Sequence, residues 1–493
     1  MEPIPQSNNE SQSQHLNEKK LEVWLGSALL SAECVGVGIL ALPHDVKNVI
    51  GLRYGLFFLI LNFPINYVAG NFLSILALDI ENKEESHEQE EDEGKVEMMD
   101  VVASDDDESD FVEDSFEDEN KDTEDETEVL QNLSLSENET HRDVSTTSDL
   151  ISISEEVFQS NFVTNCVLTI YYLNLFLVLG DYILVMSRSV SAMFLDRICT
   201  PVAGVIASTL IFGICQLKTM SNLGRKVSVA SLLAMMIVLL QCLFHHRSLD
   251  TSPSFREERR SNVQDPTIWE KFSAFASIGF AVGSQKLFLN VRHELKHREK
   301  ASKVLAWSLL TYGNIYLMVI LLAGTDPPSF LFDAIPEGSG RQIAGFLLWG
   351  HVAVSYAINC QALCSSIDRY LVLRYPNSDA RSWIGNSDKR WVILTFGVAL
   401  SSYLVSNAIP FFKDLVALIG ALTSVPLTLT LPTLLHRKVN KFPILLPGWK
   451  IRESFGSYSL FLYSLIFLVV GMIGAISSID QDWMNQSGAF ACH

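Results

Sequence analysis

Eleven long apolar blocks decide what this chain can fold into. They cover residues 21–42, 54–80, 162–186, 202–217, 227–244, 272–291, 304–324, 343–364, 391–408, 415–435 and 458–479. Most hold 18 to 24 residues, enough for a helix to cross a bilayer core of about 30 Å. A mean hydropathy of +0.22 and 48% hydrophobic residues fit lipid as the solvent. The sequence therefore predicts an all-α polytopic membrane protein.

The net charge of −21 is a local feature. Residues 81–158 carry 31 acidic against 4 basic side chains, a net of −27, which leaves +6 for the rest of the chain. Low hydrophobicity with high charge gives little apolar surface to bury, so this segment is expected to be a disordered loop. Ser104, Ser115 and Thr123 each have an acid three residues downstream, a pattern acid-directed kinases favour; a solvated spacer is the competing reading. The predicted organisation is a cytoplasmic tail over 1–20, helices 1 and 2 over 21–80, the acidic loop over 81–158, helices 3 to 11 over 159–479, and an outer tail over 480–493.

Lys and Arg cluster in alternate short loops: Lys218, Arg225 and Lys226, then Arg292 to Lys303, then Arg369 to Arg390, then Arg437 to Arg452. That bias places the N-terminus and the acidic loop in the cytoplasm and the C-terminus outside. The outer loop at 245–271 runs against it, with four arginines and a lysine. In this orientation the sequons at Asn132 and Asn138 stay bare, and Asn485 can carry glycan. The eight cysteines show no metal-ligand spacing, and only Cys199 and Cys492 are placed to form a disulfide outside. Neither a cofactor nor a nucleic-acid partner is expected.

The first block contains Gly36-Val37-Gly38-Ile39-Leu40-Ala41-Leu42-Pro43. Glycine costs a helix interior about 1 kcal/mol and proline about 3. A break there leaves peptide groups free at membrane depth, where non-helical backbone is tolerated only inside protein or along a cavity. Close packing of two helices on small residues is the alternative. Five blocks later, Ile278-Gly279-Phe280-Ala281-Val282-Gly283-Ser284 repeats the theme. Paired glycine-interrupted segments at corresponding places in two halves point to a transporter site between inverted repeats.

Further motifs make the comparison specific. Ile409-Pro410-Phe411-Phe412-Lys413-Asp414-Leu415, followed by Leu418-Ile419-Gly420-Ala421-Leu422-Thr423 and Pro426 to Pro432, resembles the ninth-to-tenth helix signature of the amino acid/auxin permease family. Gly36 to Pro43, Gly180-Asp181 and Glu294-Leu295-Lys296 resemble its first-helix, third-helix and post-sixth-helix patterns. Asp181 is also placed to cap the outer end of its block. The resemblance implies a five-plus-five inverted-repeat fold with broken first and sixth helices and an extra eleventh. It also implies an amino acid substrate, with Val35, Gly36, Val37 and Gly38 offering backbone groups to its carboxylate, assisted by the half-helix that follows. Gly279, Phe280, Ala281 and Gly283 would line the side-chain pocket and receive the amino group. Small residues there suit a neutral amino acid.

Coupling is less conventional. Sodium-coupled members commonly have asparagine four residues before the first glycine, where this chain has Ala32; Ser355 falls where they tend to have threonine. Glu33 and Lys286 stand near the two proposed breaks instead, and ionisable groups inside a membrane are costly and functional by default. A Glu33–Lys286 pair would bind and release a proton, which ranks proton coupling ahead of sodium; alternatively, Lys286 takes the cation's place and no ion is coupled. A structural ion pair, or a Lys286 that reaches the inner face, is the competing reading.

The leading function is secondary active amino acid transport, in the plasma membrane or a vacuolar or lysosomal one. An amino acid sensor that docks a cytoplasmic partner on the acidic loop is the alternative. No nucleotide-binding glycine loop is present and no convergent His/Glu or Ser/His set lies in the apolar blocks, so an enzyme is not expected. His351 alone in the eighth block reads as a packed histidine.

Overall fold

The computed structural model describes residues 21–103, 150–216, 221–250, 265–374, 386–439, 445–446, 449–450, 453–485 and 490. The sequons Asn132 and Asn138 and the hydroxyls Ser104, Ser115 and Thr123 lie outside the described residues. The helices are α1 (Val23–Cys34), α2 (Leu52–Ala103), α3 (Leu150–Phe158), α4 (Asn161–Met193), α5 (Thr200–Cys215), α6 (Ser221–Asp250), α7 (Ile268–Val282) and α8 (Gln285–His293). They continue with α9 (Ala301–Leu322), α10 (Ser339–Arg374), α11 (Ser387–Ala408), α12 (Phe412–Ile419), α13 (Leu431–Val439) and α14 (Glu453–Asn485). Two strands, β1 (Leu445–Leu446) and β2 (Trp449–Lys450), make a short antiparallel pair.

Among the described residues nine helical stretches are long and apolar enough to cross a membrane, and the shorter apolar helices α1 and α5 fill the first and fourth places. The eleven positions match the eleven blocks. Span 1 is α1 with the turns that follow it to residue 49, span 6 is α7 with α8, and span 10 runs from α12 to α13. Starts are fixed locally where the sequence supplies caps. Thr267 accepts the backbone N–H of Glu270 at 3.2 Å, and the Glu270 carboxylate accepts that of Thr267 at 2.7 Å, a reciprocal cap that opens α7.

Packing follows a two-fold pattern in the order of spans. Span 1 lies on span 7 as span 6 lies on span 2; span 1 lies on span 5 as span 6 lies on span 10. Span 3 contacts spans 4 and 10, and its counterpart, span 8, contacts spans 9 and 5. Exchanging each span with the one five places on returns the same neighbours, the signature of two repeated halves. Span 11 (α14) stands outside this exchange and packs on α7 and α12.

Two sequence expectations change. The acidic loop does not begin at Glu81: α2 continues to Ala103, with an Asp79–Lys83 pair at 3.0 Å, and α3 adds helix at its far end. Glutamate and lysine are good helix formers, so helix persists where burial ends. Glu81 itself is buried, and its carboxylate accepts both Arg292 guanidinium N–H groups at 2.7 Å and that of Arg298 at 3.0 Å. Asp181 is no cap: α4 runs on to Met193, and Asp181 is fully buried within it. Cys199 is disulfide-bonded, as expected, while the six other described cysteines form no disulfide; Cys492 lies outside the described residues.

Candidate functional site

Span 1 breaks where its glycines stand. α1 ends at Cys34, Val35 turns with ψ 62°, and Gly36 is extended at φ −108°, ψ −153°. A 3₁₀ turn over Val37–Leu40 resumes the span. Span 6 breaks later than its first glycine: α7 continues through Gly279 to Val282, and Gly283 (ψ 95°) and Ser284 separate it from α8. The break therefore uses one glycine of the pair. A methyl group on Gly279 would lie 2.7 Å from Phe467 and 3.2 Å from Val425, so that glycine admits α14 instead of lining a pocket. One on Gly283 would lie 3.0 Å from Thr428 of span 10.

The two breaks meet. A methyl group added at Gly38 would stand 3.4 Å from both Ala281 and Phe280. Val35, Val37 and Ala281 are buried around this contact. Breaking a helix leaves its last carbonyls without N–H partners, and burial makes each costly unless another donor is found. The donors come from α9. Tyr316 Oη lies 2.5 Å from the Cys34 carbonyl and 3.0 Å from that of Ala281, and Tyr312 Oη donates to Val282 at 3.0 Å. One phenol thus bridges both broken helices, and both tyrosines are fully buried.

These tyrosines carry little signal in the sequence. Their only signal is Tyr312 and Tyr316 one turn apart on an otherwise apolar helix, which also describes ordinary interfacial aromatics. α1 and α9 are further joined by serines: Ser27 Oγ lies 3.3 Å from the Val304 carbonyl, and Ser308 Oγ donates to Ser27 at 3.1 Å. The break in span 1 is thereby held at a fixed depth against span 7.

Comparison with known proteins gives this geometry a family. A model described as transmembrane amino acid transporter protein matches residues 133–477. The chain belongs to that family. It is 24% identical over 240 residues to amino acid permease 3 of Arabidopsis thaliana, across 43% of this chain and 47% of the relative. It is 26% identical over 239 residues to the N amino acid transport system protein of Neurospora crassa, across 45% and 47%. The chain spans about half the length of the curated relatives it matches. The match to this transporter family begins after spans 1 and 2, so the first break is tied to the site by its contact with the sixth.

Charged groups surround the breaks. Glu33 sits on the last turn of α1, half-buried, and makes no hydrogen bond or ion pair among the described residues. Tyr182 of α4 lies within electrostatic reach of both Glu33 and Asp181. Lys286 is on α8, and its side chain lies outside the described residues, as does that of Asn485, the last residue of α14. Ser355 is buried on α10, where its carbonyl accepts Asn359 at 2.8 Å; no hydrogen bond joins it to either break among the described residues. His351 is a packed histidine, its Nδ1 2.8 Å from Ser231 Oγ.

Polar contacts flank the site on both sides. On one side a chamber of about 30 Å³, room for a water molecule, is lined by Asp45, Ser277, Lys413 and Ser478 among others. Lys413 pairs with Asp482 at 3.2 Å, and Ser478 donates to Asp414 at 2.7 Å. On the opposite side Glu81 clamps α8 through Arg292. There the Leu21 N–H also donates to the Glu294 carbonyl at 2.8 Å, and Lys296 N–H to the Leu21 carbonyl at 2.9 Å.

Proposed function

We propose that this chain is a secondary transporter that moves amino acids across a membrane by alternating access around the broken spans 1 and 6. Support comes from membership of the amino acid transporter family and from one structural observation. The freed carbonyls of both breaks converge on the single hydroxyl of Tyr316. A ligand held between Gly36–Gly38 and Ala281–Gly283 would feel both half-helices at once, and relative motion of the two would change its access.

The backbone at Val35, Gly36, Val37 and Gly38 would take the carboxylate, and that at Ala281 and Gly283 the amino group. Gly38 and Ala281 touch in this structure, and residues this small suit a small neutral side chain once the two half-helices part. Glu33, unpaired among the described residues and next to the break, is the proposed carrier of the coupling proton. Lys286 is its proposed partner, and Ser355 is left for a sodium-linked alternative.

The test is uptake of a labelled amino acid mixture into proteoliposomes under an imposed pH gradient or sodium gradient, for the wild type and Glu33→Gln. Accumulation driven by the pH gradient and lost in Glu33→Gln is the expected result. Saturable binding without flux under either gradient would overturn transport and favour a sensor.

A further inference from the structure

Outside the substrate site, the inner ends of both broken spans enclose an open cavity of about 670 Å³. Its floor is apolar, built by Leu21 and Val23 at the start of span 1 and Leu295 just after span 6. Two indoles form its walls: Trp24 is 67% exposed and Trp307, in the second turn of α9, is 59% exposed. Lys296, His297 and Lys300 stand at its rim. Glu22 also lines it, but its carboxylate is turned to the Trp24 indole N–H at 3.0 Å.

This combination narrows the occupant. A small soluble anion would meet the lysines and leave the indole walls in water. A bare acyl chain would cover the walls and leave the lysines unused. An anionic phospholipid places a phosphate at the rim and a chain along the tryptophans, the depth at which indoles settle in bilayers. The Lys/Arg bias of the loops puts this end in the cytoplasmic leaflet, where anionic lipids are concentrated. The chain's own residues 1–20 offer no apolar stretch to fill the floor.

We propose that this cavity binds one anionic phospholipid of the inner leaflet. The site bridges the Leu21 to Leu295–Lys296 pairing, so an occupied cavity ties the inner halves of spans 1 and 6 together and slows opening to the cytoplasm. The proposal concerns binding first and does not depend on the transported substrate.

Tryptophan quenching tests it directly. The full chain is reconstituted in phosphatidylcholine vesicles containing a rising fraction of phosphatidylserine with brominated acyl chains, and in a matched series with brominated phosphatidylcholine. The expected result is a saturable quench that reaches half-maximum at a lower fraction of phosphatidylserine, by about fivefold per lysine. That preference is lost in Lys296→Gln/Lys300→Gln, and the phosphatidylserine-selective part of the quench in Trp24→Phe/Trp307→Phe, the other six tryptophans giving a background common to both lipids. Equal quenching by the two lipids, or a preference unchanged in the lysine variant, would overturn the proposal. Relief of the quench by millimolar inorganic phosphate would also overturn it, in favour of a soluble anion. Native mass spectrometry of the wild type supplies a readout that needs no variant: one retained phosphatidylserine supports the site, and none rejects it.

Discussion

Spans 1 and 10 carry the same kind of helix-disfavouring residues and respond in opposite ways. Span 1 has Gly36, Gly38 and Pro43, and it breaks. Span 10 has Gly420 and Pro426, yet it stays helical from Phe412 to Val439 by widening into π turns over Gly420–Ser424 and Pro426–Thr430. The difference lies in who supplies the hydrogen-bond donors. In span 10 hydroxyls of the helix return to its own carbonyls: Thr423 to Ile419 at 2.9 Å, Thr428 to Ser424 at 2.7 Å and Thr433 to Leu429 at 2.6 Å. In spans 1 and 6 the donors are Tyr312 and Tyr316 of a neighbouring span. Glycine and proline permit a break, and an external donor makes it stable in lipid.

The largest expected effect tests the close fit of the unbroken span. A methyl group at Gly420 would overlap the Ala276 carbonyl, whose carbon would lie 2.8 Å away. Backbone would have to move, and Gly420→Ala should destabilise the protein by about 3 kcal/mol, read as a lower thermal midpoint in detergent. Tyr316→Phe comes next. It strips the shared donor from two buried carbonyls, which costs about 1–3 kcal/mol and should slow amino acid exchange about tenfold. Removing a hydroxyl that serves only its own helix should matter less, so Thr428→Val is expected to cost about 1 kcal/mol or under and to leave exchange near wild type. The smallest stability change belongs to Gly36→Ala. Its φ of −108° suits any residue and its nearest new neighbour is 3.4 Å away, so stability should move by under about 1 kcal/mol, while half-saturation for the substrate rises if that backbone binds the carboxylate.

Much of this contrast was visible in the sequence, and the missing part has a common cause. Block length revealed the eleven spans because lipid demands a minimum run of apolar residues. The Gly36–Gly38 break was visible because glycine is rare where a helix is uninterrupted. The tyrosines were hidden because their partners are distant: Tyr316 and Cys34 are 282 positions apart. Glu81 was misjudged for the same reason, since a carboxylate at the edge of an acidic run gives no hint of Arg292, 211 positions away. The placement of the sixth break at Gly283 instead of Gly279 depends on Phe467 of span 11 filling the space beside Gly279. Local composition shows where a helix can fail; only packing shows where it does.

Amide hydrogen exchange at the two breaks, with and without a saturating amino acid mixture, tests the central claim most directly. Residues 35–38 and 281–284 are expected to slow together on addition, because one ligand engages both half-helices around Tyr316. Unchanged exchange at both breaks, or slowing confined to one of them, would contradict a substrate site shared between spans 1 and 6.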